Sequence, residues 1–185
     1  MNDNRLLKDN YIKINHIAAK CMSFFVALIV ALWAFAFFSR ECNLVVVTIC
    51  MVLCCIFSLI PTLVIDFFKH DRNEAIKYVV ICIAVFNCMI LSSVFSHMAL
   101  VVWIFPILLT SLYYNKTLVV FTALMSTVGV ILADFINLTY CDFMVAPIYL
   151  DYTDSMVLSV FPCVITILIL SLVAYFIVSR NSTML

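Results

Sequence analysis

The side chains in this sequence with chemical reach are few and scattered. Three histidines, His16, His70 and His97, lie far apart, and none belongs to a recognisable metal-ligand or base motif. Each reads as a polar residue at an interface. Nine cysteines occur at positions 21, 42, 50, 54, 55, 82, 88, 141 and 163, an odd number with no CxxC spacing. Most fall inside apolar runs, where a thiol acts as a small hydrophobe at a helix interface. Cys42 and Cys141 fall in or beside expected outer loops, but the reading is unpaired thiols there too. A single glycine, Gly129, excludes a glycine-rich phosphate loop, and no HExxH or GxSxG motif is present. No catalytic residue, cofactor or metal site is therefore expected.

Two polar features remain. The segment from Asn137 to Asp154 carries Asp142, Asp151 and Asp154 among Tyr140, Phe143, Tyr149 and Tyr152, with Asp134 at its near edge and no Lys or Arg. Carboxylates among aromatic rings could hold a cation or an amine. The favoured reading is plainer: a solvated loop whose tyrosines lie at the membrane–water boundary. Asn87 is polar at the centre of an apolar run and is expected to hydrogen-bond a neighbouring helix. Pro61, Pro106 and Pro162 each remove a helical hydrogen bond, which can shape a pocket, a hinge or only the packing.

The elements that must position these residues are membrane helices. Of 185 residues, 67% are hydrophobic and 11% charged, too little charge to wet a soluble domain of this size. A helix of roughly 20 apolar residues crosses the hydrocarbon core. Apolar runs at 21–38, 44–68, 78–95, 98–114, 117–136 and 155–178 predict six spans. The boundary at Ser96-His97 is set by length: 78–114 overfills one helix. Lys116 marks a water-facing turn, because a lysine at bilayer depth costs about 2.5–3.5 kcal/mol. Residues 1–20 are polar and basic and suit a short interfacial helix, with 179–185 as a tail. Ala34-Phe35-Ala36 resembles a leader-cleavage site, but the polar front is long and the apolar run continues, so an uncleaved span is expected. With six spans, Arg5, Lys8, Lys13, Lys20, Lys69, Arg72, Lys77, Lys116 and Arg180 collect on one side, with Arg40 on the other. Positive charge stays cytoplasmic, so both termini are expected inside. The predicted fold is all-α, a polytopic bundle of six transmembrane helices in the cytoplasmic membrane. The lipid bilayer is the expected partner. Nucleic acid is not, since no basic and aromatic cluster lies outside the apolar runs.

The stretch Phe105-Pro106-Ile107-Leu108-Leu109-Thr110-Ser111-Leu112-Tyr113-Tyr114-Asn115-Lys116 adds a resemblance. It is similar to the six-span N-terminal membrane domains of bacterial signalling proteins, mostly from Firmicutes. In these a proline-bearing helix runs into a Ser-x-Tyr, aromatic, Asn or Asp, basic turn. Such domains precede diguanylate cyclase, histidine kinase or chemoreceptor output domains, and the resemblance covers about residues 78–180. It implies a sensory or anchoring input module whose last helix passes a state to a cytoplasmic output domain or partner protein. Signalling modules of this kind usually form homodimers, but no heptad or GxxxG supports one here. Only 179–185 follow the last run, and no cyclase or kinase motif is present, so the expectation is an input module and not an enzyme. The residues to watch are Pro106, Tyr113, Tyr114 and Lys116 at the inner turn, His97 and Asp134 outside, and Asn87 between them. Two other readings compete. One is a six-span substrate-binding subunit of a small-solute transporter, for which Ala27 and Ala31 offer a docking step but glycine is scarce. The other is a membrane assembly protein without a ligand.

Overall fold

Lipid offers the backbone no hydrogen bonds, so an apolar chain must satisfy its amides within each segment, as a helix does. The protein, seen in a computed structural model, is described over residues 3–39, 44–67, 75–95, 99–139 and 156–181, and those residues contain no strand. The helices are α1 (Asp3–Ser39), α2 (Leu44–Thr62), α3 (Ile76–Val94), α4 (Ala99–Val102), α5 (Ile104–Ser111), α6 (Lys116–Thr139) and α7 (Phe161–Asn181). α1 runs through the basic N-terminal segment without a break. Five stretches are long and apolar enough to cross a membrane: Ile12–Phe38, Leu44–Ile65, Ile76–Val94, Lys116–Thr139 and Met156–Arg180. Large apolar side chains cover the outside, among them Phe24, Leu124, Phe161 and Phe176. In water that surface would aggregate; against lipid it is ordinary. The chain has the build of a multi-pass membrane protein.

The expected fourth span, 98–114, departs from the other five. It forms a shorter apolar helix, Leu100–Ser111, made of α4 and α5. At about 1.5 Å per residue this rises roughly 18 Å, well short of a hydrocarbon core of about 30 Å. It is interrupted at Trp103, three residues before Pro106, and Tyr114, with φ of 48°, ends it early.

Pairwise contacts fix the directions. α1 and α2 are antiparallel: Ser23 meets Thr62 at 2.8 Å, and Trp33 donates to Thr48 at 3.0 Å. α3 and α6 are parallel. The ring of Tyr78 packs edge-on against Phe121 near both N-termini, and Asn137 Nδ2 donates to the Ser93 carbonyl near both C-termini. The short helix must therefore run back between them, and Thr110 of α5 meets Thr122 of α6 at 2.7 Å. α7 is antiparallel to α6: Cys163 lies within electrostatic reach of Asp134 at one end, and Lys116 Nζ sits over the Tyr175 ring at the other. The described cations, Lys13, Lys20, Lys77, Lys116 and Arg180, all gather at one end of the bundle. Asp134, the only carboxylate among the described side chains, lies toward the opposite end.

α3 is the central rod, touching α1, α2, α4, α5 and α6, with 61% of its apolar stretch buried. The last span is the most peripheral, with 22% buried. The prolines mark departures from regular helix. A π-helical turn, Leu63–Phe67, follows Pro61, and another, Met156–Val160, precedes Pro162.

Candidate functional site: an interrupted helix and the niche beside it

Pro106 lacks the N–H that would bond the Val102 carbonyl one turn earlier. The ladder breaks at Trp103, between α4 and α5, although Trp103 keeps helical φ and ψ of −71° and −11°. The freed carbonyl is not left bare: the Cys88 thiol on α3 donates to it at 3.4 Å. Farther along α5, Thr110 Oγ1 lies 2.8 Å from the Pro106 carbonyl. It also meets Thr122 Oγ1, which in turn lies 2.8 Å from the Leu118 carbonyl. Each hydroxyl has one proton, so two of these three bonds form at once.

Trp103, at the break, is 1% exposed. The edge of its six-membered ring lies on Gly129 of α6; a Cβ built there would be 2.5 Å from Cη2 and 3.2 Å from Cζ3. The lone glycine of the chain thus serves as the seat of a buried indole.

Beside the indole is a small polar niche of about 10 Å³, lined by Ser92, Trp103, Asp134, Asn137 and Ser159 together with Val130 and Ala133. Ser92 Oγ donates to the Cys88 carbonyl at 2.6 Å, and Asn137 Nδ2 to the Ser93 carbonyl at 2.7 Å. Trp103 Nε1 is buried and meets no acceptor among the described residues. Four elements converge here: α3, the interrupted helix, α6 and the π-turn leading into α7. The niche takes about one water-sized sphere, far less than an organic solute needs. No group of three or more His, Cys, Asp or Glu side chains suited to a metal occurs among the described residues.

The sequence-derived residues divide among three levels. Asp134 lines the niche, and Pro106 lies one turn from it, just past the break. Tyr113, Tyr114 and Lys116 form the turn at the opposite, basic end. Tyr113 is buried, its hydroxyl without a partner among the described residues and within electrostatic reach of Cys21. Tyr114 is exposed and left-handed, a conformation that favours Gly or Asn. Asn115 caps α6, its Oδ1 accepting from the Leu118 amide at 3.1 Å. Lys116, in the first turn of α6, opposes the helix dipole, and the Tyr175 ring face 6.0 Å away offsets part of that charge. Asn87 is wholly buried at mid-depth, with Nδ2 donating to Ser58 Oγ on α2 at 2.7 Å and Oδ1 without a partner among the described residues. This is the interhelical bond expected of it. His97 and the loop of acidic and aromatic residues 140–155 lie outside the described residues.

Trp103, Ser92, Asn137, Ser159 and Gly129 were not singled out as site residues from sequence. Two of them carry a signal that could have been read: Trp103 is one of two tryptophans and stands three residues before a proline, and Gly129 is the sole glycine. The serines look like the other small polar residues of the spans. Compared with protein families, characterised proteins and solved structures, the chain matches none.

Proposed function

We propose that this chain is a membrane-embedded input module, crossing the cytoplasmic membrane of a bacterium six times with both termini in the cytosol. It is non-catalytic and works through a cytoplasmic effector. Three observations support the threading. α3 and α6 are parallel, which requires a return passage between them, and the interrupted helix is that passage. The described cations gather at one end, as the cytoplasmic face of a membrane protein requires. The Tyr-Tyr-Asn-Lys turn falls at that same end.

The observation that carries the signalling role is the path of the last helix. Its lead-in π-turn supplies Ser159 to the niche, and the helix then runs past Cys163 to Tyr175 beneath Lys116 at the basic end. It is also the least buried of the five long spans. A rod held by different partners at its two ends, and by one narrow buried stripe between them, can shift between packings while most of its surface stays in lipid. A stimulus must favour one packing over the other for anything to be transmitted. The test is a reporter output domain fused after Arg180. Output should change in Trp103→Leu and Asp134→Asn variants that insert and fold normally. Output indifferent to both would overturn the reading. An organic solute that co-purified stoichiometrically would favour the transporter-subunit reading instead, to which the interrupted helix lends some support.

A further inference from the structure

We infer that the niche is a binding site for a single ordered water molecule, donated to by Trp103 and accepted by Asp134 and Asn137, which fastens the interrupted helix to α6 and α7. The inference is independent of any signalling role.

It starts from the indole. Trp103 Nε1–H is a donor only, is shielded from solvent, and has no acceptor among the described residues. Buried donors in native proteins are nearly always satisfied, by protein or by water. The niche that Trp103 lines has the size for one water: about 10 Å³ of room for the centre of a water-sized sphere. A buried water also needs two to four polar partners, and the lining provides them.

The proton count selects water over other small ligands. Ser92 spends its hydroxyl proton on the Cys88 carbonyl, and Asn137 directs its amide N–H to the Ser93 carbonyl. Ser92 therefore has only oxygen lone pairs left to offer, Asn137 has Oδ1 and one further N–H, Ser159 brings a hydroxyl, and Asp134 adds carboxyl oxygens. The niche thus mixes donors, the indole N–H foremost, with several acceptors. Water fits both, accepting from the indole and giving its two protons to the oxygens. A sodium ion would suit the oxygens but would be repelled by the indole N–H. An apolar ligand would leave the indole N–H unmet.

The test uses the whole chain with Trp33→Phe, which leaves Trp103 as the sole tryptophan; Trp33 bonds Thr48 away from the niche. Ultraviolet resonance Raman reads the hydrogen bond of the indole N–H, and infrared difference spectra in ordinary and oxygen-18 water read the bound O–H stretch. The expected result is a hydrogen-bonded indole and a water band that shifts with oxygen-18. In Asp134→Leu both should be lost. If that variant fails to fold, Asp134→Asn keeps an acceptor and should shift the band without removing it. A non-bonded indole in the parent overturns the inference. So does a bonded indole with no oxygen-18-sensitive band. An indole band that moves when sodium chloride replaces choline chloride would place a cation there and overturn it as well.

Discussion

Replacing Gly129 by Ala should destabilise the protein, and the sign of that effect tests the packing at the helix break. Gly→Ala inside a helix ordinarily stabilises, by about 0.8–1.0 kcal/mol. In a bilayer that gain is smaller, because the separated helices stay helical and have little backbone freedom to lose. Against it stands the added methyl, 2.5 Å from Trp103 Cη2 with two further ring atoms at 3.2 and 3.4 Å. The indole is 1% exposed and rigid, so it cannot swing aside as a flexible side chain would. Overpacking of this kind costs about 1–3 kcal/mol. The net expectation is a loss of roughly 1–2 kcal/mol. The assay is reversible unfolding of purified protein in bicelles, following the emission of Trp33, which every variant of the cycle retains. Trp103→Phe shortens the ring, so Gly129→Ala should cost little in that second background. The double-mutant cycle should show a coupling of about 1 kcal/mol or more. If Gly129→Ala proved neutral or stabilising while Trp103 stayed buried, the seating of the indole on Gly129 would be wrong.

Other expectations follow from the same contacts. Tyr114→Asn should raise the unfolding midpoint by relieving the left-handed backbone at φ of 48°, worth about 1 kcal/mol, as read in the same bicelle assay. Cys88→Val removes the donor to the Val102 carbonyl and should cost about 1 kcal/mol; adding Pro106→Ala restores a helical N–H to that carbonyl and should recover part of the loss. In a cysteine-less background, Lys116→Cys, Arg180→Cys and His70→Cys should react with an impermeant maleimide from the cytoplasmic side only, and Thr139→Cys from the other. Labelling of Lys116→Cys and His70→Cys from opposite sides would break the proposed threading.

The sequence by itself determined what kind of object this is. Apolar runs separated by charged breaks can only be helices in lipid, because no other local structure satisfies a backbone without water. The turn at Tyr114-Asn115-Lys116 was legible for the same reason: one lysine there cannot be at bilayer depth, and the structure starts α6 at that residue with Asn115 as its cap. The expectation that Asn87 bonds another helix needed only its polarity. The pairing of helices was not legible. A soluble helix announces its inner face by a polar outer one, whereas helices bathed in lipid are apolar all round and carry no such stripe. Nothing local therefore said that α3 and α6 run side by side, that Gly129 receives Trp103, or that Ser92, Asp134, Asn137 and Ser159 meet around one small space. Those contacts join residues far apart in the chain, and close packing in three dimensions alone decided them.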